Sequence, residues 1–134
     1  MTKAQPIDPP TLYRNVPYHY ALVAPAGRVV YAAGACPIDA EGDVVAPGDF
    51  EGQARLALDN LACTLAEAGS GLDKVLKTTV FVATSDRSEL TRVWKVVEDR
   101  FGETRPPSTL LGVSLLGYRN QLVEIEAVAL VTES

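Results

Sequence analysis

The sequence predicts an α+β fold in which two helices lie on one face of a mixed sheet, in the order ββαβαββ. Two segments have apolar residues at helical spacing, and about five have the alternation or β-branched composition of strands. Two helices cover only one face of such a sheet. A second subunit is therefore expected on the other face, which predicts a homo-oligomer with sites at subunit boundaries.

The chain from residue 1 to residue 134 reads as one domain that opens with an extended lead-in. Three of its first ten residues are prolines, and no long linker or repeat follows them. The segment ALVAPAGRVVYAAG, which begins at Ala21, predicts two short strands joined by a turn at Pro25, Ala26 and Gly27.

Both predicted helices carry an apolar stripe. The first lies between Pro47 and Gly69, and Gly69 is a suitable C-terminal stop. The second begins at Ser88 and ends at Gly102, before two prolines. The stripe of the first helix is Ala54, Leu58, Leu61 and Leu65, and that of the second is Leu90, Val93, Trp94, Val97 and Phe101.

Three later strands are predicted at residues 75 to 84, about 108 to 116, and 122 to 131, with a turn around GYRNQ before the last. In the last strand, Val123, Ile125, Ala127 and Ala129 form one apolar face. The other face is mixed, because Glu124 and Glu126 alternate there with Val128 and Leu130. Carboxylates are costly to bury without partners, so what this face contacts becomes the central question.

Composition narrows the classes of function. Twelve Lys and Arg against 17 Asp and Glu give a net charge of -5, which disfavours binding to nucleic acid or to an anionic membrane. No apolar stretch approaches a membrane span, and Cys36 and Cys63 read as free thiols, so a cytoplasmic protein is expected. His19 is the only histidine, and neither a metal site nor a cofactor is expected.

Six blocks of the chain resemble the RidA/YjgF family of imine and enamine deaminases. They are PYHY at 17, AAGACPID at 32, QARLALDNLACTLAEAG at 53, VLKTTVFV at 75, RPPSTLLGVSLL at 105 and VEIEAVAL at 123. The resemblance implies a chorismate-mutase-like fold and a homotrimer with an inner β-barrel and three clefts between subunits. It also implies hydrolysis of 2-imino acids to 2-keto acids and ammonia.

Several functional positions of the family are kept here. The resemblance matches the family's water-positioning glutamate to Glu124 and its N-terminal tyrosine to Tyr18. Gly34 matches the cleft glycine, and Thr109 matches a small polar residue that follows the family's arginine. These matches predict that Glu124 points into a cleft beside a ligand.

Other positions depart from the family pattern. Ser108 stands where the resemblance places the arginine that pairs with the substrate carboxylate, a role suited to a guanidinium fork. Ala33 replaces a serine, Leu110 a cysteine and Trp94 an asparagine. A cleft with these four residues is less able to hold a small anionic substrate.

Simpler structural roles stay open for the same residues. Glu124 could be an exposed carboxylate near the end of a hairpin, Tyr18 could pack on the first strand, and Trp94 belongs to an apolar stripe. No motif places a base near Ser108, so it is interpreted as the first residue of a strand. Cys36 is interpreted as a small buried residue. Arg105 and Arg119 could each reach a cleft, although surface exposure is the simpler expectation for both.

Two hypotheses of function follow. One is a hydrolytic deaminase acting on imines or enamines other than small 2-imino acids, with Glu124 holding the water. The other is a trimeric protein that binds an uncharged or apolar metabolite in the same clefts without chemistry. Endoribonuclease activity ranks third, because the net charge is -5 and no basic stripe is present in the sequence.

Overall fold

A computed structural model describes residues 3–132, in which a four-stranded mixed sheet carries two helices on one face. The first two residues of the predicted lead-in and the last two of the chain lie outside this range. The elements are β1 Gln5–Ile7, β2 Ala21–Val23, β3 Val29–Ala35, α1 Phe50–Glu67, β4 Val75–Ala83, α2 Arg87–Phe101, β5 Ser108–Val113 and β6 Val123–Leu130, with short 3₁₀ turns at Leu72–Lys74 and Gly102–Thr104.

The strand order in the main sheet is β3-β6-β4-β5, so the C-terminal strand lies in its interior. Strands β4 and β5 are parallel because α2 connects them, whereas β6 is antiparallel to both of its neighbours. Helix α1 packs on β3 and β6, and α2 packs on β4 and β5. The predicted α+β class and mixed sheet are confirmed.

The predicted lead-in contains a strand of its own. Residues Gln5–Ile7 pair with Ala21–Val23 as a separate two-stranded sheet, so the first of the two predicted strands does not join the main sheet. Pro6 lies within β1 opposite Leu22, where an edge position tolerates the missing backbone donor. The prolines predicted extended backbone in this segment, but they did not predict which strand it would pair with.

Each helix begins at an aspartate cap. The side chain of Asp49 accepts a hydrogen bond from the backbone of Gly52, and that of Asp86 accepts one from the backbone of Ser88. Helix α2 therefore begins at Arg87, one residue before the predicted start, because the cap is Asp86. Gly102 follows α2 with a φ of 57°, in the left-handed region that favours glycine.

The core lies between the helices and one face of the sheet. The predicted apolar face of the last strand is confirmed, since Val123, Ile125 and Ala129 are fully buried and Ala127 is 3% exposed. Leu58, Leu61 and Leu65 of α1 and Val93 and Val97 of α2 pack against that face. Shortening any of these buried α1 leucines to alanine is expected to destabilise the fold, since such changes typically cost about 2 to 5 kcal/mol.

The opposite face of the sheet is uncovered in the single chain. Tyr31 of β3 is 79% exposed and Leu111 of β5 is 42% exposed, and both lie on the face away from the helices. Lys77, Thr79 and Val128 line a depression of about 320 Å³ on that face. Burial lowers the pKa of Lys77, while nearby Glu126 acts in the opposite direction. A second subunit on this face remains a prediction.

No helix within residues 3–132 is both long enough and apolar enough to cross a membrane. Those residues also contain no group of three or more His, Cys, Asp or Glu side chains that could hold a metal ion.

Candidate functional site

A β-bulge in β3 positions the surroundings of Glu124. Ala32 pairs with Ala127 and Ala35 pairs with Ile125, so β3 has one more residue than β6 between these two pairs. The extra residue falls at Ala33 and Gly34, and a bulge of this kind bends the strand and redirects its side chains. It lies beside Glu124, the residue that precedes Ile125.

Gly34 is required by a close approach. A β-carbon on Gly34 would lie 2.2 Å from Glu124 Oε2 and 2.7 Å from Glu124 Cγ, well inside van der Waals contact. Gly34, which the resemblance matched to the family's cleft glycine, therefore lies directly beside Glu124. Any larger residue at position 34 would push the carboxylate away from the strand.

Two donors fix one oxygen of the Glu124 carboxylate. Oε1 accepts a hydrogen bond from the Gln121 side-chain amide at 3.1 Å and another from the Cys36 thiol at 3.4 Å. Gln121 is buried, and its amide also donates to the Val123 carbonyl, so it is itself held in place. Oε2 makes no hydrogen bond with residues 3–132, which leaves one oriented acceptor on a half-buried carboxylate.

Cys36 is a protonated donor to this carboxylate. Burial, and secondly the hydrogen bond and negative charge of Glu124, raise the pKa of the Cys36 thiol from its ordinary value of 9.0 to about 11. The thiolate is the nucleophilic form of cysteine, so Cys36 is a poor nucleophile near neutral pH. This agrees with its interpretation as a small, partly buried residue.

The two cysteines are expected to differ in reactivity. Cys63 is exposed, whereas the raised pKa of Cys36, about 11, leaves a much smaller fraction of its thiol ionised at pH 8. Alkylation with iodoacetamide at pH 8, read by peptide mass spectrometry, should label Cys63 well before Cys36. In Glu124→Gln, labelling of Cys36 should accelerate, because the negative charge beside its thiol is removed. Equal labelling of both cysteines in the unaltered protein would contradict the Cys36–Glu124 contact.

Ser108 and Glu124 lie on opposite faces of the sheet. Thr78 pairs with both Ser108 and buried Ala127, and the hydroxyls of Thr78 and Ser108 are 2.6 Å apart, so Ser108 faces the helices. Glu124 instead pairs with Phe81 on the uncovered face. The two side chains therefore cannot meet within one chain.

The neighbours of Ser108 alternate in the same way. Leu110 lies on the helix side and packs against the core, while Thr109 is exposed on the other face and its hydroxyl accepts a hydrogen bond from Lys77 Nζ at 3.0 Å. Ala33 is exposed at the bulge. The residues suggested by the resemblance thus form two groups in the single chain, one around Glu124 and one around Ser108.

Trp94 closes the space beside Ser108. The two residues line a cavity of only about 10 Å³, enough for roughly one water molecule. Trp94 packs against the core, as its place on the apolar stripe predicted, yet its buried indole Nε1 has no hydrogen-bond partner among residues 3–132. A long side chain at position 108 would meet the indole ring.

Tyr18 and Arg105 lie together at the N-terminal segment. Both line a pocket of about 190 Å³, and Arg105 also lines the small cavity beside Ser108. The Arg105 guanidinium donates to the Val16 carbonyl and is half-buried, so the expectation of surface exposure is wrong for Arg105. Arg119 is exposed in the final turn, as expected.

The sequence matches a known protein family over most of its length. A family model described as Endoribonuclease L-PSP matches residues 12–131. The chain belongs to this family. Relatives in it include the RutC family protein UK114 of Drosophila melanogaster, 38% identical over 114 residues that cover 85% of this chain and 79% of the relative. The predicted resemblance to RidA/YjgF proteins is confirmed.

Two further relatives of the L-PSP family bear on fold and chemistry. The protein named 3-aminoacrylate deaminase RutC of Acinetobacter baylyi is 32% identical over 121 residues, covering 90% of each chain. The crystal structure of YyfB from Yersinia pestis, described as a Rid family protein of unknown function, superimposes with a TM-score of 0.84. It is 25% identical and covers 98% of this chain and all of its own.

Sequence reasoning overlooked Gln121 as a partner of Glu124. The signal available for it was weak, because a glutamine three residues before a strand glutamate carries no spacing rule. Its role becomes visible only once the turn at Tyr118–Gln121 places the amide next to the carboxylate, with Gln121 also accepting from the Tyr118 backbone. The resemblance to RidA/YjgF proteins identified Glu124 but not the side chain that orients it.

Proposed function

We propose that this L-PSP family protein is a hydrolytic deaminase of imines or enamines, acting in clefts between the subunits of a homotrimer. The observation that carries the proposal is the carboxylate of Glu124, with Oε1 fixed by Gln121 and Cys36 and Oε2 left as an oriented acceptor. An acceptor held in this way can bind and polarise a water molecule beside a substrate. Relatives with deaminase names support the reaction class.

The chemistry asked of Glu124 is a proton transfer in each direction. The water bound at Oε2 attacks the carbon of the C=N bond, which forms a C–O bond while the carboxylate takes the proton of the water. The C=N electron pair moves to the nitrogen, which takes that proton back from Glu124 and leaves a neutral carbinolamine. Glu124 then accepts the hydroxyl proton of the carbinolamine and passes it to the nitrogen, so that the C=O bond forms as the C–N bond breaks and ammonia leaves. An imine and one water thus give a carbonyl compound and ammonia, and Glu124 returns to its ionised form.

A cleft that contains both residue groups requires a second copy of the chain. Ser108 faces the helices and Glu124 faces the uncovered side of the sheet, so they could approach each other only across a boundary between copies. The uncovered face offers Tyr31 and Leu111 as contact surface for such a neighbour. We therefore assign Tyr18, Gly34 and Thr109 to the walls of an inter-subunit cleft, with Leu110 packed behind them on the helix side of β5.

We further propose that small 2-imino acids are not the preferred substrates. No cation stands at position 108, where Ser108 is hydrogen-bonded to Thr78 and Trp94 closes the space. A substrate carboxylate placed there would be desolvated without a guanidinium from position 108, which is unfavourable. Arg105 also lines this cavity, but its guanidinium is engaged with the Val16 carbonyl. An imine without an α-carboxylate avoids that cost.

An assay with two sources of imine tests this proposal. An amine oxidase generates imines without a carboxylate, whereas an amino-acid oxidase generates 2-imino acids. We expect the protein to accelerate ammonia release from the first class above the buffer rate, and to leave the second close to it. If neither class is accelerated, the protein is not a deaminase of this kind. If 2-imino acids react faster, the role given to position 108 is wrong.

The trimer is a separate expectation. Multi-angle light scattering at micromolar concentration should give three times the chain mass of 14.3 kDa. Leu111→Glu, which places a charge on the uncovered face without touching the core, should shift the mass toward the monomer while far-UV circular dichroism is retained. A monomer in the unaltered protein would contradict the inter-subunit cleft.

A second function has its own support. The close packing of Trp94 beside the uncharged Ser108 suits a protein that binds a neutral metabolite without chemistry. This alternative predicts saturable ligand binding together with imine hydrolysis at the buffer rate. The net charge of -5 disfavours RNA as the substrate, despite the name of the family model. The two free cysteines agree with the reducing environment of the cytoplasm, which we propose as the location of the protein.

A further inference from the structure

A further pocket, which we call the His19 pocket, lies where the two-stranded sheet meets the main sheet and has a volume of about 300 Å³. Pro6 of β1 and Leu22 of β2 line it, together with Leu130 at the end of β6. His19, the only histidine of the chain, also lines this pocket. Glu124 does not, so the proposed deaminase reaction leaves the pocket without a role.

Asp8 fixes one edge of the His19 ring. His19 Nδ1 lies 2.7 Å from Asp8 Oδ2, and Asp8 Oδ1 accepts a hydrogen bond from the Tyr20 backbone at 3.0 Å. The Tyr20 hydrogen bond, and after it the one with His19, lower the pKa of Asp8, so its carboxylate stays ionised near neutral pH. An ionised carboxylate only accepts hydrogen bonds, so Nδ1 of His19 carries a proton.

The other edge of the ring offers an acceptor to the pocket. In a neutral imidazole with its proton on Nδ1, Nε2 is a hydrogen-bond acceptor, and here it makes no hydrogen bond with residues 3–132. Asp8 does not line the His19 pocket, so the Nδ1 edge is turned away from it and the Nε2 edge is left to face it. Since the His19 side chain is only 21% exposed, a ligand that donates to Nε2 would satisfy an acceptor that is largely withdrawn from solvent.

The backbone around His19 holds the ring in this orientation. The His19 N–H donates to the Arg105 carbonyl at 2.9 Å, and the N–H of Tyr20, the next residue, fixes Asp8. The imidazole is therefore held through its own main chain and through its partner. An acceptor that is oriented before a ligand arrives loses little conformational entropy on binding.

The rest of the lining determines the kind of ligand. Its larger apolar side chains are those of Pro6, Leu22, Val75, Leu76 and Leu130. Lys3 and Lys74 add two ammonium groups, and Lys74 Nζ lies 3.7 Å from the Asp73 carboxylate, so these three side chains together leave one net positive charge. The apolar wall favours a flat apolar ring. The positive charge favours a donor whose oxygen gains negative charge as it shares its proton.

We propose that the His19 pocket binds a small phenol, whose hydroxyl donates a hydrogen bond to His19 Nε2 while its ring packs on the apolar wall. A phenol is a stronger hydrogen-bond donor than an aliphatic alcohol, and it combines this donor with a flat apolar body. The volume is at the lower end of the range typical of small-molecule sites, roughly 300 to 1,000 Å³, and suits a single substituted ring. Neither Glu124 nor Ser108 lines the pocket, so this site is independent of the proposed deaminase function.

Calorimetric titration with 4-chlorophenol at pH 8 tests the site, and 4-chloroanisole is the matched probe because its methyl ether cannot donate a hydrogen bond. 4-Chlorophenol should bind about tenfold more tightly than 4-chloroanisole, as expected for one hydrogen bond to a partly buried acceptor. His19→Phe keeps a flat ring and removes the acceptor, so it should bind the two probes about equally. In Asp8→Asn an amide can donate to Nδ1, which allows the proton to move to Nε2, and the preference for the phenol should fall.

The protonation of the ring can be observed directly, because His19 gives the only histidine signals of a protein without a histidine tag. Correlation spectra of ¹⁵N and ¹H should show the proton on Nδ1. 4-Chlorophenol should shift the Nε2 resonance, and 4-chloroanisole should not. This measurement uses the unaltered protein, so it tests the proposal even if His19→Phe does not fold.

The Glu124→Gln variant separates this site from the proposed active site. It should bind 4-chlorophenol like the unaltered protein, and a loss of binding would place the phenol beside Glu124 and overturn the proposal. The proposal is also overturned if 4-chlorophenol fails to bind or if 4-chloroanisole binds equally well. The same holds if His19→Phe keeps the preference for the phenol, or if the spectra place the proton on Nε2.

Discussion

Glu124→Gln is expected to lower imine hydrolysis by about 100-fold or more while leaving the fold intact. General base catalysis by a positioned side chain typically contributes 10²- to 10⁴-fold, and an amide cannot take the proton that a carboxylate takes. Glutamine has nearly the same shape, and its oxygen can still accept from Gln121 and Cys36. The rate of ammonia release from amine-derived imines, measured at saturating substrate, checks the expectation.

Glu126→Gln provides the matched control for that variant. Glu126 lies two residues further along β6 on the same face of the sheet, and it is exposed. The substitution makes the same change of net charge, so it should leave hydrolysis within about twofold of the unaltered protein. Equal losses of activity in the two variants would mean that removal of a negative charge from this face lowers the rate, whichever glutamate is changed. The assignment of Glu124 as the base would then be wrong.

Ser108→Arg should restore an anion-binding position only when Trp94 is replaced by a smaller side chain in the same variant. The cavity beside Ser108 is about 10 Å³, and Trp94 forms one of its walls, so an arginine there would be overpacked. Inserting side-chain atoms into a well-packed site typically costs 1 to 3 kcal/mol. Ser108→Arg alone should therefore lower the free energy of unfolding, and Trp94→Asn should relieve part of that loss.

The gain in function should appear in the double variant. A charge-assisted pair between the new guanidinium and a carboxylate could contribute about 1.5 to 3 kcal/mol, or roughly one to two decades of affinity. Titration of pyruvate into Ser108→Arg/Trp94→Asn should show this gain relative to Trp94→Asn alone, and pyruvamide should show none. Urea denaturation of the four proteins of the cycle measures the coupling between the two positions. If the two substitutions are additive in stability and pyruvate binding is unchanged, position 108 does not face a ligand site.

Most helices and strands could be predicted from the sequence, because the spacing of apolar residues and the local composition indicate each element separately. Helical spacing located α1, the β-branched run located β4, and alternation gave the buried face of β6. The pairing of β1 with β2 could not be foreseen, since three residues around a proline carry no register signal. Long-range pairing is set by tertiary contacts that no local pattern records.

The candidate site was predicted less completely than the fold. The resemblance named Glu124 and Gly34, and their close approach follows from a bulge whose position the sequence does not mark. That Ser108 faces the helices depends on the register of β5 beside β4, which a one-residue shift would reverse. The half-buried state of Arg105 depends on a carbonyl 89 residues earlier in the chain, at Val16.

A crystal structure of the Glu124→Gln variant with an amine-derived imine or its carbonyl product would show whether residue 124 acts in a cleft between subunits. We expect a trimer in which the ligand lies beside residue 124 at a boundary between copies, with a neighbouring chain supplying part of the wall. A ligand held by one chain alone, or an assembly in which residue 124 faces no neighbouring copy, would contradict it.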